Sequence, residues 1–230
     1  MSEAKRAAGI LAAQQVESGQ ALGLGTGSTV DPFLVELARR VREEGLRVRG
    51  VPTSRQTELR ARELGLEVLS LAELPRLDLC VDGADEIDPE LRMIKGGGGA
   101  LLREKVVATA SERMLIVVDE SKCVERLGTT FALPIEVVPF ALPLARRELE
   151  TFGAELVLRH KDGSEYRTDN GNAILDARFP EGIADAERVE REMGAIPGVV
   201  CVGLFLGLAQ GRVVGRANGT ADLAWPKDCS

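Results

Sequence analysis

Short apolar runs that alternate with helical segments constrain the fold of this chain more than any other feature of its sequence. The apolar runs are ALGLG (21–25), RVRGV (47–51), LDLCVDG (77–83) and RMLIVVDE (113–120). Segments with apolar residues at helical spacing lie before and between them, at about 3–17, 30–44, 53–65 and 99–110. Because strands that alternate with helices through short connections form parallel sheets covered on both faces, we expect an α/β fold with a doubly wound, mostly parallel sheet.

The second half of the chain follows a different order of elements. Strands are predicted at 133–139, 154–162, 173–179 and 199–207, and helices at 144–153 and 183–194. The order β-α-β-β-α-β is typical of a small ferredoxin-like α+β domain. A last strand candidate at 211–217 can pair back onto the first sheet. We therefore predict a discontinuous α/β catalytic domain, residues 1–131 and 208–230, with an inserted ferredoxin-like domain, residues 132–207.

Charge and aromatic content argue against a nucleic-acid partner. The chain has 29 Lys and Arg against 36 Asp and Glu, a net charge of −7, whereas nonspecific binding depends on basic side chains that neutralise phosphates. With 6 Phe, 1 Tyr and 1 Trp, a platform for stacking single-stranded bases is improbable. A small anionic substrate, which needs only a local positive site, stays compatible with this composition.

The sequence also gives no sign of a membrane, disulfide or zinc protein. No apolar run reaches the roughly 20 residues that span a bilayer, and the N-terminus lacks an apolar signal core. None of the 4 cysteines, Cys80, Cys123, Cys201 and Cys229, belongs to a CxxC pair. We expect a cytoplasmic protein with free thiols and no membrane partner.

The first candidate site is the glycine-rich turn GLGTGST at residues 23–29, which follows a strand and opens a helix. Backbone N–H groups at a helix N-terminus attract anions, and the hydroxyls of Ser28 and Thr29 add donors. A plain capped turn is the alternative. A dinucleotide site is less favoured, because Ser28 replaces the third glycine of that motif and no acid ends the next strand. A Walker A loop is excluded, since no Gly-Lys-Ser/Thr follows.

The second candidate site is the segment Val81-Asp82-Gly83-Ala84-Asp85-Glu86, in which acids flank a tight Gly-Ala turn at the carboxyl end of an apolar strand. Ligands of open α/β sheets bind at that edge, where carboxylates can bind sugar hydroxyls or move protons. A solvated acidic loop and a Mg²⁺ site are the alternatives.

The third candidate is Lys95 with the four glycines that follow it, Gly96 to Gly99. Four consecutive glycines are costly to order, so a folded protein keeps them where the backbone closely approaches a ligand or moves. The lysine adds positive charge beside exposed N–H groups. A flexible surface loop is the alternative.

Glu104 is the fourth candidate. On a helical wheel it falls between Ala100 and Ala108 on a helix that is apolar nearly all round, which indicates a buried helix. Burial makes a carboxylate a better proton acceptor near neutral pH. A surface glutamate in a first helical turn is the alternative. Lys122, at the end of another strand, is by itself an ordinary surface lysine.

These candidates all follow strands of the first domain, so one sheet edge can gather an anion cradle, two acids, a lysine and a buried glutamate. The sequence offers no metal-ligand cluster and no Ser-His or Cys-His pair, since the single histidine, His160, lies in the second half. Such parts suit abstraction of a proton next to a carbonyl on a phosphorylated substrate.

Six segments then identify a family resemblance. GLGTGST, VDGADEID, MIKGGGGALLREK, VVDESK, TDNGN and IPGVVCVGLF resemble the type A ribose-5-phosphate isomerases, in that family's order, from about Lys5 to about Gly215. The resemblance implies an aldose–ketose isomerase of ribose 5-phosphate and ribulose 5-phosphate that works through a cis-enediol(ate) without metal or organic cofactor. It also implies a homodimer or homotetramer. The tail after Thr220 matches nothing in the family and has no assigned role.

The resemblance also assigns roles to individual residues. It implies that Glu104 is the carbon base, that Asp82 and Asp85 handle hydroxyl protons and ring opening, and that Lys95 stabilises the enediolate oxygen. The implied substrate-binding residues are Thr26, Gly27, Ser28, Thr29, Gly83, Ala84, Gly96, Gly97, Gly98, Lys122 and Lys5.

Two other classes of protein compete with this interpretation. A non-catalytic sugar-phosphate sensor domain shares the anion cradle but has no need of Glu104. It is usually joined to a DNA-binding module, for which the residues before Ala21 are too few. An acyl-CoA transferase needs its glutamate in another loop context, and an amino-sugar-phosphate deaminase usually relies on a catalytic histidine.

Overall fold

The computed structural model describes residues 2–225. The helices in that part of the chain are α1 (Glu3–Ala13), α2 (Asp31–Glu44), α3 (Arg55–Glu63), α4 (Leu101–Thr109), α5 (Leu142–Glu150) and α6 (Ala186–Gly194). The strands are β1 (Ala21–Leu24), β2 (Arg49–Pro52), β3 (Leu77–Asp82), β4 (Glu86–Ile87), β5 (Met93–Ile94), β6 (Ser111–Asp119), β7 (Leu133–Val137), β8 (Glu155–Leu158), β9 (His160–Lys161), β10 (Ser164–Glu165), β11 (Ala173–Arg178), β12 (Val199–Val202), β13 (Leu204–Phe205), β14 (Gly211–Gly215) and β15 (Ala221–Ala224).

These elements form two compact units. The first unit takes in the described residues up to Ala84, then Arg103–Lys122, then the described residues from Gly207 onward. The second unit takes in Asp85–Leu102 and Cys123–Leu206.

A six-stranded sheet with the order β15-β14-β6-β3-β1-β2 organises the first unit. Every neighbouring pair in it is parallel except β14 with β15, which pair antiparallel at the edge. All four residues of β1 are buried, as are residues 114–118 of β6, which is typical of strands covered on both faces. The predicted mostly parallel sheet is confirmed, and the strand predicted at 211–217 is its member β14.

Close packing of α1 on α2 covers part of this sheet. α1 is lined with small buried residues, and a Cβ at Gly9 would lie 2.6 Å from both Phe33 N and Pro32 Cβ. Only glycine therefore permits this approach of the two helices. The apolar face of α2 carries Phe33 and Leu37, both completely buried in the core of the unit.

A four-stranded antiparallel sheet with the order β12-β7-β11-β8 organises the second unit. In chain order these are the fourth, first, third and second strands, which is the arrangement of a ferredoxin-like unit. α5 and α6 follow the first and third of these strands along the chain, and their apolar residues Leu149 and Met193 join the sheet's core. The predicted α+β unit is therefore present.

The second unit also contains a small sheet that the sequence did not suggest. β13 pairs with β5, and β5 pairs with β4, so residues 85–102 belong to the second unit, whereas the sequence-based division placed them in the first. The single strand predicted at 199–207 is divided at Gly203 into β12 and β13. A Cβ at Gly203 would lie 2.5 Å from Lys95 O, so the backbones approach too closely there for any side chain.

Other differences are local. The strand predicted at 154–162 is divided into β8 and β9. The strand β10, which pairs with β9, and the edge strand β15 were not predicted, and β15 contains the first residues of the tail that had no assignment. Cys80 and Cys201 are buried and Cys123 is exposed, while Cys229 lies outside the described residues. No helix within residues 2–225 is both long and apolar enough to cross a membrane.

Candidate active site

In the first unit, the turn between β1 and α2 is fixed by a cluster of hydroxyl groups. Thr26 Oγ1 lies 2.7 Å from Thr53 Oγ1, 2.8 Å from Ser54 Oγ and 2.9 Å from Thr57 Oγ1. Gly27 follows with a φ of +113°, a conformation that suits glycine. The Thr26 hydroxyl thus ties the turn to the segment that opens α3, while Ser28 is exposed and Thr29 half-buried.

An open pocket of about 520 Å³ lies beside this turn. Lys5, from the first turn of α1, donates from Nζ to Ser28 Oγ at 2.8 Å. On the same pocket wall Arg60 Nε donates to Asp31 Oδ1 at 2.7 Å. The structure therefore brings together Lys5 and the Ser28 hydroxyl, two donors suited to an anion.

Asp82, the last residue of β3, is completely buried and faces the same turn. Its Oδ1 accepts hydrogen bonds from Thr26 N at 3.0 Å and from Gly83 N at 2.7 Å. A Cβ at Gly25 would collide with this carboxylate, so glycine is required for the turn to approach it. The sequence-predicted turn and Asp82 thus form one cluster, followed by half-buried Gly83 and Ala84.

Glu104 lies in the first turns of α4 and is only 5% exposed. α4 packs on β1 through Val107, because a Cβ at Gly23 would lie 2.7 Å from Val107 Cγ1. The expectation that α4 is buried all round is wrong, since Val106 is 45% exposed. Glu104 nevertheless lies on the buried side, as its position on the wheel predicted.

Lys122 ends a short 3₁₀ turn, Glu120–Lys122, that follows β6 in the first unit. It is half-buried. The Asp119 carboxylate accepts from Ser121 N at 3.1 Å and so shapes the same turn.

In the second unit, Asp85 and the glycine loop form a separate cluster. Asp85 Oδ2 accepts from Gly97 N at 2.7 Å. Gly96 is buried, whereas Gly97 and Gly98 are exposed. Gly96 and Gly99 have φ values of +107° and +81°, which explains glycine at both ends of the loop.

Lys95 precedes that loop and is buried, with 2% exposure. Its backbone N donates to Gly203 O at 2.9 Å, and its Nζ lies 5.4 Å from the centroid of the Phe205 ring. An ammonium over an aromatic face is attracted by the ring's quadrupole. Gly203 therefore holds the backbone of Lys95, and Phe205 of β13 holds its charged end.

Glu86, next to Asp85 in the acidic segment, received no role of its own from the sequence. Glu86 is completely buried and accepts from Gly128 N at 2.5 Å, Thr130 N at 2.6 Å and Phe131 N at 2.7 Å. It therefore fixes the loop before β7. Its place inside the motif VDGADEID was visible, but its partners lie more than forty residues away along the chain.

Sequence reasoning also missed Arg159 and Tyr166, whose side chains contact the glycine loop. Burial raises the pKa of the Tyr166 phenol, so the hydroxyl stays a donor at neutral pH. No motif or spacing singled out either residue. Their neighbour His160 is exposed, with Nδ1 2.9 Å from Leu158 O, and lies outside the sequence motifs that carry the candidate site residues.

Within residues 2–225, no three His, Cys, Asp or Glu residues are grouped so that they could hold a metal ion.

Comparison with known proteins agrees with the resemblance read from the motifs. A family model described as Ribose 5-phosphate isomerase A (phosphoriboisomerase A) matches residues 49–219. A ribose-5-phosphate isomerase A of Bacillus mycoides (strain KBAB4) is 46% identical over 219 residues, covering 95% of this chain and 98% of the relative.

Solved structures agree as well. The ribose 5-phosphate isomerase from Plasmodium falciparum superposes with a TM-score of 0.94 at 35% identity, covering 99% of this chain and 100% of that one. A D-ribose-5-phosphate isomerase in complex with phospho-erythronic acid superposes with a TM-score of 0.92 at 36% identity, covering 97% and 98%. With a matching family model over most of its length and relatives of this similarity, the chain belongs to the ribose 5-phosphate isomerase A family.

Proposed function

We propose that this chain interconverts D-ribose 5-phosphate and D-ribulose 5-phosphate by moving a proton between C1 and C2. Its membership of the isomerase family supports the reaction. A base removes the C2 proton of the open-chain aldose, the released electron pair forms the C1=C2 bond, and the C1 oxygen takes up a proton. Delivery of a proton to C1 and loss of the proton on the C2 oxygen then give the ketose, so atoms and charge balance.

The burial of Glu104 is the observation that carries this proposal. Carboxylates are rarely buried to this extent unless they are paired or functional. Glu104 is 5% exposed on a short helix held against β1 by Val107. A rigidly held, desolvated carboxylate suits a base that serves two neighbouring carbons in turn. We assign Glu104 that role.

The remaining roles follow the family's motif positions. Asp82 and Asp85 handle hydroxyl protons and ring opening. Hydrogen bonds from two backbone N–H groups to Asp82 and from the Gly97 N–H to Asp85 support a positioned role for both. Lys95 stabilises the oxygen that becomes negative in the enediolate, and its burial supports this because charge interactions strengthen where water is excluded. Gly96 to Gly98 and Lys122 contact substrate.

The simplest test is the conversion of ribose 5-phosphate to ribulose 5-phosphate by the purified protein. Turnover is the expected result. A sugar-phosphate sensor, the alternative of another class, would bind ribose 5-phosphate and leave its composition unchanged, and that outcome would overturn the proposal.

The phosphate end of the substrate is assigned to the turn at Gly25–Thr29. Ser28→Ala combined with Thr29→Ala should raise KM for ribose 5-phosphate by about tenfold or more, since each hydrogen bond lost to a charged group costs about 1.5–3 kcal/mol. Steady-state kinetics measure the effect. Ser164→Ala, at an exposed serine of β10, is the control and should leave KM unchanged. An unchanged KM in the double variant would move the phosphate site, with the Gly96–Gly99 loop the next to test.

Activity should survive removal of divalent metal ions. The family resemblance implies a metal-free reaction, and the described residues contain no grouped set of metal ligands. Protein dialysed against a chelator should turn over at the rate of untreated protein. A loss that Mg²⁺ or Zn²⁺ restores would revive a metal site at Asp82 and Asp85.

Two further properties concern the location and the assembly of the protein, and the composition of the chain and the family resemblance support them. We propose that the chain acts in the cytoplasm and assembles as a homodimer or homotetramer. Light scattering on the eluting protein measures the mass in solution, and a monomer of 24.7 kDa would contradict the assembly.

A further inference from the structure

Arg159, between β8 and β9 in the second unit, reaches the glycine loop with its guanidinium. Its Nη1 donates to Gly96 O at 2.8 Å and to Gly97 O at 3.2 Å. Its Nε donates to Asp176 Oδ2 at 2.8 Å, and Nη2 donates to the other oxygen of the same carboxylate. The planar guanidinium thus joins a bidentate ion pair on one side to two backbone carbonyls on the other, which a lysine cannot reproduce.

The framework behind Arg159 is the four-stranded sheet. Asp176 lies on β11, and Arg159 N donates to Ile174 O of that strand at 2.9 Å. The Arg159 side chain is only 14% exposed. Because Asp176 lies on a strand of the sheet and the Arg159 side chain is largely buried, few other rotamers of Arg159 are accessible. Its hydrogen bonds therefore hold the glycine loop in one position.

Tyr166 holds the next carbonyl of the loop. Its hydroxyl donates to Gly98 O at 3.3 Å, and its ring lies 5.9 Å from the guanidinium carbon of Arg159. Any side chain at Gly99 would overlap the phenol. Arg159 and Tyr166 therefore donate hydrogen bonds to three consecutive carbonyls of the loop, those of Gly96, Gly97 and Gly98.

The geometry of the peptide bond links the hydrogen bond between Arg159 and Gly96 O to Asp85. In a trans peptide the C=O of one residue and the N–H of the next point in opposite directions. Arg159 holds Gly96 O, and the N–H at the other end of that peptide is Gly97 N, which donates to Asp85 Oδ2 at 2.7 Å. Arg159, the Gly96–Gly97 peptide and the Asp85 carboxylate thus form one continuous chain of hydrogen bonds.

We propose that Arg159 is a positioning residue for the isomerisation, which fixes the Gly96–Gly97 peptide so that its N–H holds the Asp85 carboxylate in its working orientation. The proposal rests on the role assigned to Asp85 above. Because Arg159 acts through Asp85, its substitution should mainly lower kcat. Misplacement of a reacting group by about 1 Å can lower a rate by about 100-fold.

Arg159→Lys and Arg159→Met test the proposal, with Arg146→Lys and Arg146→Met as matched controls. Arg146 is a half-buried arginine of the same unit that donates to a backbone carbonyl, Leu156 O at 3.2 Å, away from the glycine loop. Both Arg159 variants should lower kcat by about 10- to 100-fold, and this fall should exceed any rise in KM that comes from the substrate contacts of the glycine loop. The Arg146 variants should keep both constants.

A second readout does not depend on activity. In protein labelled with ¹⁵N-glycine, the Gly97 amide proton reports its hydrogen bond to Asp85. The Arg159 variants should shift this resonance upfield, and the Arg146 variants should leave it in place. A fall in thermal stability alone, with kcat and the Gly97 resonance unchanged, would overturn the proposal and leave Arg159 a structural residue.

Asp85→Ala separates failure of this proposal from failure of the role given to Asp85. If Asp85→Ala lowers kcat strongly while the Arg159 variants turn over normally, the positioning role of Arg159 is wrong and the role of Asp85 stands. If Asp85→Ala turns over within about threefold of wild type, the role of Asp85 is wrong and the proposal falls with it.

Discussion

Glu104→Gln is expected to lower kcat by at least about 10²–10⁴-fold, the usual contribution of a general base, while substrate binding persists. Glutamine keeps the size and most of the packing of the side chain, but its amide cannot accept the proton that leaves C2. Because Glu104 is only 5% exposed, water has little access to replace the base. Steady-state kinetics with circular dichroism as a check on folding measure the effect.

Glu112→Gln is the control for this substitution, since Glu112 is an exposed glutamate in β6 of the same unit. It should turn over like the wild type. If Glu104→Gln also isomerises within about threefold of wild type, the assignment of the base is wrong, and Asp82 becomes the next carboxylate to test.

Lys95→Met should lower kcat by about 10²–10³-fold, as loss of one oxyanion-stabilising donor does elsewhere, with a much smaller rise in KM. Negative charge develops on the substrate oxygen only as the enediolate forms, so the ammonium contributes mainly to the transition state. Methionine is preferred to alanine because Lys95 is 2% exposed and packs beside Phe205, where a cavity would confuse the result.

Lys161→Met is the control for the lost charge, because Lys161 is exposed in β9. A Lys95→Met variant that raises KM and leaves kcat unchanged would instead assign Lys95 to ground-state binding of the phosphate or a hydroxyl.

Much of the fold was predictable because its strands carry a strong local signal. Strands of a parallel sheet are buried on both faces, so β1, β3 and β6 read as continuous apolar runs that end in glycine or acid. Helices α2 and α4 have apolar residues at helical spacing and lie within two residues of their predicted bounds. The order of the strands in the sheet was not predicted, because it depends on tertiary pairing between distant segments.

The small sheet β4–β5–β13 could not be predicted, because its strands are two residues long and β13 pairs with β5 across more than a hundred positions. Two-residue strands leave no periodicity to detect, and their pairing decides to which unit residues 85–102 belong. For the same reason the break at Gly203 was invisible, since it reflects the approach of a distant backbone at Lys95.

The residues of the candidate site also differ in whether the sequence could predict them. The sequence singled out the glycine turn, Asp82, Asp85 and Lys95 as candidates because they lie in recognisable motifs after apolar runs, and Glu104 because of its position on a helical wheel. Their supporting groups were not found. Arg159 and Tyr166 belong to a polar hairpin without periodicity and meet the glycine loop only through tertiary contacts more than sixty residues away.

Hydrogen exchange with solvent tests the central claim most directly, namely that Glu104 carries the proton between C1 and C2. Wild-type protein and Glu104→Gln are each incubated with ribulose 5-phosphate in D₂O, and NMR follows deuterium at C1. We expect the wild type to incorporate deuterium at C1 and Glu104→Gln, which still binds the substrate, to incorporate none over the same time. Incorporation by Glu104→Gln at the wild-type rate would contradict this claim and assign the proton transfer to another group.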